Sequence, residues 1–252
     1  MEKGFETLKF IKEDRIATLS LNRPHVLNAY NTQMRDDLWA ALGAITDDPD
    51  VSSLLLMGEG TRAFCAGADL TEFGTSPSQA IARRSRLDRD VWSVLLTLTK
   101  PSVVALHGYV IGAGLEMALL CDIRVASTNA IFSLPEVRRG LSPSAGGSQT
   151  LPRAIGYPAA LNLMLTGDQI DAHEALRIGL VHQVLPIDQV FREAKAWAHR
   201  LSELSPTVIG GLKEAVSVGM ELPLRAGLDL ERHLAQQVAR AAMNFSGGDL
   251  EH

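Results

Sequence analysis

Apolar positions follow two different periods along the chain. Through the first half, short β-rich runs alternate with stretches of helical spacing, and after Pro143 the helical period takes over. Residues 7–11 and 15–21 are two such runs, and the charged Lys12, Glu13 and Asp14 between them predict a hairpin turn. Met34, Leu38, Ala41, Leu42 and Ile45 recur at one face's spacing, which predicts a helix over 32–46 capped by Asn31 or Thr32. Residues 51–57 read as a strand, and 58–69, rich in glycine and alanine, as a loop. The charged amphipathic stretch 77–99 predicts a helix stopped at Lys100-Pro101. Residues 103–107 form an apolar strand, 108–114 turn the chain into a helix ending near residue 120, and 123–126 and 130–132 are short strands.

Beyond Pro143 the spacing predicts helices at 148–155, 158–165, 172–178, 189–204, 206–220 and 222–243, with no strand longer than 181–184 among them. A sheet-containing core of the α/β kind followed by a helical C-terminal region is the expected architecture. The stretch 102–121, SVVALHGYVIGAGLEMALLC, is apolar enough to resemble a membrane span. Pro101 before it, three glycines within it and the lack of a second span fit a buried strand, a glycine turn and a short buried helix instead.

Composition narrows the function. The chain has 252 residues, 46% of them hydrophobic and 21% charged, the balance of an ordinary globular protein. Its 24 basic and 29 acidic side chains give a formal charge of −5, so no global field draws in nucleic acid or an anionic membrane. Two cysteines, Cys65 and Cys121, supply neither a disulfide framework nor a four-cysteine zinc site. The N-terminal MEKGFETLKF carries no export or import signal, which makes the cytoplasm the expected location, and Leu250, Glu251 and His252 look like the start of a vector-encoded tag.

Familiar motifs fail on inspection. Gly112-Ala113-Gly114 begins like a dinucleotide fingerprint, but Met117 occupies the third glycine position. There is no P-loop and no GxSxG elbow, and His173-Glu174 is followed by Arg177 where a zinc-binding helix needs its second histidine. No metal is expected.

The informative residue is Glu116. Its helix, Gly-Leu-Glu-Met-Ala-Leu-Leu-Cys over 114–121, is apolar nearly all round and must be buried, and a carboxylate there is costly. It is either a site residue or half of an ion pair with an arginine such as Arg124 or Arg138. Glu136 follows Leu134-Pro135, where proline stiffens the backbone, and two short strands can return it to face Glu116 across a shared cavity. Two carboxylates around one water form an acid/base device. Two small-residue loops, 64–70 and 108–114, let backbone approach a ligand; the amide of Ala113 or Gly114, at a helix start, is a candidate oxyanion donor with a partner from the other loop.

Leu21-Asn-Arg-Pro24 with Asn28-Ala29, FCAGADL, HGYVIGAGLEMALLCD, Phe132-Ser-Leu-Pro-Glu136, GLSPSAGGSQTLPR and LTGDQIDAHEALRIGLVHQVLP resemble, in order, the conserved blocks of the crotonase family, enoyl-CoA hydratases and isomerases. The resemblance spans residues 5–247. It implies an α/β crotonase-like spiral of ββα units over 1–195, a helical C-terminal region over 196–249, and 250–252 as tag. It also implies trimers or dimers of trimers, and an acyl-CoA thioester as substrate with no separate cofactor or metal.

By the same resemblance the amides of Ala68 and Ala113 form the oxyanion hole. His25, Val26 and Leu27 run beside the CoA moiety, Ala29 and Ala66 lie at the adenine, and Asp69, Leu70 and Gly114 join the substrate-binding positions. Glu116 orients and activates water while Glu136 exchanges the proton at the α-carbon, which implies an enoyl-CoA hydratase. A double-bond isomerase of the same fold and a non-catalytic acyl-CoA scaffold are the alternatives. Three departures stand out: Ala113 replaces a frequent glycine and must reach the turn's backbone angles with a methyl, His25 replaces a frequent lysine, and the chain stops soon after Asp249.

Overall fold

The computed structural model describes residues 4–75, 78 and 88–246. Strands β1 (Leu8–Glu13) and β2 (Ile16–Leu21) pair antiparallel with Glu13 opposite Ile16. The turn is therefore Asp14-Arg15, with φ of 49° and 63°, a left-handed pair whose twist matches the flanking strands. The turn expected at 12–14 moves because β1 is an edge strand, exposed beyond Leu8, where Lys12 and Glu13 sit in the ladder at no desolvation cost.

The hairpin opens a six-stranded sheet that continues through β3 (Ser53–Gly58), β5 (Ser102–Leu106), β7 (Ile123–Ser127) and β10 (Gln183–Leu185), parallel from β2 onward. A second sheet runs β4 (Ala63–Cys65), β6 (Tyr109–Ile111), β8 (Ile131–Ser133), β9 (Ile170–Asp171), the first three parallel. Each passage of the chain lays one strand in each sheet, β3 then β4, β5 then β6, β7 then β8. Helices α1 (Thr32–Asp47), α2 (Val91–Thr97) and α3 (Ala113–Leu119) punctuate the passages. The fold is an α/β spiral of ββα units with helices at its C-terminal end. Strands β4 and β6 lie in stretches expected as loop and turn, because three-residue strands between glycines are too short to show a period of two.

Strands buried on both faces explain the continuous apolar runs. Leu54, Leu56, Val104, Leu106 and Ala126 enter the main core with Phe64, Phe132 and the inner face of α1. Their neighbours Leu55, Val103, Ala105 and Val125 point the other way, onto Val190, Ala194 and Ala198 of the helix Ile187–Ser202. Helix α1 is capped by Asn31, whose side chain accepts from the Met34 amide at 2.9 Å.

The remaining helices are α4 (Gly147–Ile155), α5 (Tyr157–Thr166), α6 (Ala172–Arg177), α7 (the Ile187–Ser202 helix), α8 (Pro206–Gly219) and α9 (Leu224–Ser246). The division expected at residue 195 falls inside α7, which packs under the first sheet. The strand expected at 181–184 is β10, slightly later in the chain. Of the helix expected at 77–99 only α2 lies within the described residues, and 250–252 fall outside them. Residues 102–121 fold as β5, β6 and α3, and no helix among the described residues is long and apolar enough to cross a membrane.

Candidate active site

Because β4, β6 and β8 are parallel neighbours, the loops that leave them open at the same end of the second sheet. Those loops carry Ala66 to Asp69, Gly112-Ala113 and Pro135-Glu136, three of the segments singled out from sequence. Ala66, Gly67 and Ala68, with Gly112 and Glu136, line one cleft there, and Leu70, Phe73 and Leu141 give it an apolar wall. Ligand sites commonly gather at the carboxyl ends of parallel strands.

Two backbone amides are left over at this cleft. Tyr30 forms a parallel bridge to Ala68: its amide donates to the Gly67 carbonyl and its carbonyl accepts from the Asp69 amide, both at 2.8 Å. Those bonds use the groups flanking Ala68, and alternation along an extended strand turns the Ala68 N–H away from Tyr30. The Gly112 amide donates to the Ser133 carbonyl at 2.9 Å, and the next amide, that of Ala113, begins α3, where no intrahelical acceptor exists. Among the described residues neither the Ala68 nor the Ala113 N–H has an acceptor. A methyl placed on Gly67 would lie 3.9 Å from the Ala113 nitrogen, so the two loops run side by side. Free amides from adjoining loops are what a developing oxyanion requires.

The left-handed backbone of this turn, φ +53°, falls on Gly112, while Ala113 is an ordinary first helical residue. The strain expected at Ala113 is therefore absent. Gly114 matters for packing, since a methyl there would meet the Cys65 carbonyl oxygen at 2.4 Å, and glycine lets α3 lie against β4.

Glu116 sits on the first turn of α3, only 3% exposed among Leu115, Met117 and Ala118. Its Oε1 accepts from the amides of Ala145 at 2.9 Å and Gly147 at 2.8 Å, where α4 begins. Helix starts offer such unspent donors, and they favour negative charge. Oε2 takes no hydrogen bond among the described residues. Burial raises the pKa of Glu116 and the two amides oppose the rise. Neither candidate arginine pairs with it: Arg124 donates to the carbonyls of Leu180 and Cys121, and Arg138 to Thr166 and Asp168. Sequence reasoning does not single out the amides at Ala145 and Gly147; the glycine pair after Pro143, just ahead of a helical pattern, is the signal that points to them.

Glu136 opens a single 3-10 turn, Glu136–Arg139, behind Pro135. Its Oε2 is buried without a partner, and Oε1 lies 2.8 Å from where a Cβ on Gly112 would be. Only glycine at 112 leaves room for this carboxyl. Burial is the main reason its pKa is raised, and the negative charge of Glu116 raises it further, so the two carboxyls sense one another.

The other positions separate into groups. Ala66, Ala68 and Leu70 are on the cleft wall, Ala66 held by its amide to the Leu27 carbonyl at 3.0 Å. His25 and Val26 are exposed on a 3-10 turn, Pro24–Val26, and Ala29 is half-buried beside it. Leu27, with φ +57°, lines a second hollow with Pro24, Gly60 and Arg62. Asp69 spends its carboxylate on Arg23, at 2.9 Å, and on Thr71, which lowers its pKa. Since Arg23 also donates to the Ala29 carbonyl, this pair fastens the 23–29 turn to the loop after β4.

A spiral of ββα units that sets adjoining loops with two free amides beside Glu136, and Glu116 near enough for its charge to be felt there, is that of the CoA-thioester hydro-lyase and isomerase class. Residues 12–246 match the family model for enoyl-CoA hydratase/isomerase, and the chain belongs to that family. It is 37% identical over 233 residues to a probable enoyl-CoA hydratase of Mycobacterium tuberculosis, covering 91% of this chain and 88% of that protein. It is 38% identical over 236 residues to the 2,3-dehydroadipyl-CoA hydratase of Escherichia coli, covering 94% and 91%. The crystal structure of an enoyl-CoA hydratase subunit I from Geobacillus kaustophilus superposes with a TM-score of 0.89 at 34% identity, covering 94% of this chain and 91% of that one.

Proposed function

We propose that the protein is an enoyl-CoA hydratase that adds water syn to a 2-enoyl-CoA and, in reverse, dehydrates a 3-hydroxyacyl-CoA. The observation that carries this reading is the Glu136 carboxyl on the cleft, near enough to Glu116 to sense its charge, beside the adjoining loops whose Ala68 and Ala113 amides are free. The thioester oxygen accepts from those amides, which stabilise the enolate formed when water attacks the β-carbon. Glu116, whose ionised form the amides of Ala145 and Gly147 favour against the cost of burial, orients the water and takes its proton. Glu136, whose pKa is raised by burial and by Glu116, delivers a proton to the α-carbon. The water oxygen ends on the β-carbon, one hydrogen ends on the α-carbon, and the carboxyls exchange protons to reset. Coenzyme A belongs to the substrate; it runs along the His25 to Ala29 turn, with Ala29 and Ala66 at its adenine.

The test follows loss of the conjugated enoyl thioester absorbance with 2-enoyl-CoAs for wild type, Glu116→Gln and Glu136→Gln. Each variant is expected to lose about 100-fold or more in kcat. Wild-type turnover by either overturns the two-carboxyl mechanism, and conversion of a 3-enoyl-CoA to its 2-enoyl isomer without hydration replaces it with isomerase chemistry. The relatives' names differ in acyl group, so family membership leaves that group open.

Self-association into trimers or dimers of trimers is part of the same proposal. Helix α8 has no buried residue, and Val208, Leu212 and Val216, at 45%, 60% and 59% exposure, form an apolar stripe along it. Light scattering on the purified chain is expected to give three or six copies, and on Leu212→Glu a smaller mass; a monomeric wild type overturns it.

A further inference from the structure

The walls of the cleft carry two charged side chains, Glu136 and Arg139. Both lie on the 3-10 turn Glu136–Arg139, three residues apart, and on such a helix side chains at that spacing eclipse one another. Arg139 therefore shares the cleft-facing side of the turn with the proton-carrying carboxyl. Its neighbour Arg138 leaves the opposite way, donating to the Thr166 carbonyl at 2.8 Å and pairing with Asp168. Arg139 forms no hydrogen bond or ion pair among the described residues, although its charge is felt at Glu136, where it opposes the raised pKa.

An arginine, itself exposed, beside the apolar side chains of Leu70, Phe73, Ile111, Pro135 and Leu141 on the cleft wall is an unusual choice for a chain that need only hold hydrocarbon. Pairing it with Glu136 would hold that carboxyl ionised and remove the acid from the reaction, yet no such pair forms. A guanidinium kept free beside an apolar surface offers two parallel donors to a planar anion. We propose that Arg139 recognises a carboxylate at the far end of the acyl group, so that the preferred substrates are 2-enoyl-CoAs bearing a second, terminal carboxylate. This rests on the hydratase reading and names the substrate class of the same site. The guanidinium also screens that carboxylate from Glu116 and Glu136, which would otherwise repel it.

The experiment compares 2-enoyl-CoAs of four to eight carbons ending in methyl, carboxamide or carboxylate, with wild type, Arg139→Leu and Arg139→Lys. Wild type is expected to favour a carboxylate-ended chain in kcat/KM. Arg139→Leu is expected to lose about ten- to a hundredfold on that substrate, the scale of a charge-assisted pair, with less than about threefold change on the methyl-ended one. Arg139→Lys should restore part of the loss. An equal loss on all three termini, carried in kcat with a shifted pH profile, overturns the proposal and leaves Arg139 as a modulator of Glu136. An equal loss that disappears with pantetheine thioesters, which lack the nucleotide phosphates, overturns it in favour of a CoA contact. Wild-type indifference to the terminus overturns it outright. Should no enoyl-CoA be hydrated, the hydratase reading fails by itself, and calorimetric binding of saturated carboxyacyl-CoA against acyl-CoA, wild type against Arg139→Leu, still decides whether Arg139 reads a carboxylate.

Discussion

Glu116 and Glu136 are close enough for the charge of one to raise the pKa of the other, but the segments that carry them are built in opposite ways. Glu116 stands on a helix inside the core, and the start of α4 supplies two amides to one of its oxygens. Glu136 stands on one turn of 3-10 helix at the rim, half-buried, with one oxygen pressed toward Gly112 and the other buried without a partner. An anion needs donors, and Glu116 has them; a carboxylic acid needs few, and Glu136 has few. On the proposed mechanism these surroundings suit two chemically identical side chains, both raised in pKa by burial, to different proton-carrying roles.

The largest expected effect tests whether the two act as one unit. The double variant Glu116→Gln/Glu136→Gln should be little slower than the worse single variant, since groups serving one step are not additive. Losses that multiply, measured by steady-state kcat, would mean independent roles. Next comes Gly112→Ala. Its methyl would meet Glu136 Oε1 at 2.8 Å on a backbone with φ +53°, which should cost about 1–2 kcal/mol in urea unfolding and lower kcat as the carboxyl is displaced. An unchanged kcat would show that Glu136 works from another position.

Smaller effects lie in pH dependence. On the proposed mechanism hydration needs Glu116 ionised and Glu136 protonated, so activity is expected to fall at low pH through the first and at high pH through the second. In Glu116→Gln the acid limb should vanish and the alkaline limb of the residual rate should move to lower pH, because the anion that raises Glu136 is gone. The reverse assignment predicts that Glu136→Gln, not Glu116→Gln, abolishes the acid limb. The smallest effect is on stability. A carboxyl whose pKa is raised by folding stabilises the native state at low pH, and that contribution is lost as pH rises through the folded value. Glu136→Gln should therefore gain stability relative to wild type as pH rises above the ordinary carboxylate range, followed by urea titrations at a series of pH values.

Much of the site is legible in the chain. The apolar surroundings of Glu116 mark it as a costly charge, and a proline fixes the approach to Glu136. The long strands and helices announce themselves by period, as Leu54 to Leu56 and Met34 to Ile45 do. The strands β4 and β6 do not, since three residues cannot display a period, and it is these strands that align the three loops of the cleft. The hairpin turn is displaced by an edge strand's tolerance for Lys12 and Glu13, a matter of solvent exposure that spacing does not encode. Arg139 is silent in the sequence because consecutive arginines look alike until one is seen to bind Thr166 and Asp168 and the other to line the cleft.

Residue order alone determined which side chains carry charge into an apolar setting, where glycine allows backbone to come close, and which family's motifs the chain displays. Tertiary structure decided which amides remain unspent, which oxygen of each carboxyl is satisfied, and which of two adjacent arginines faces the cleft. The reason is that hydrogen-bond saturation and desolvation are properties of groups brought together from distant parts of the chain. Gly147 and Glu116 meet across 31 positions, a relation set by packing rather than by either residue's neighbours in sequence.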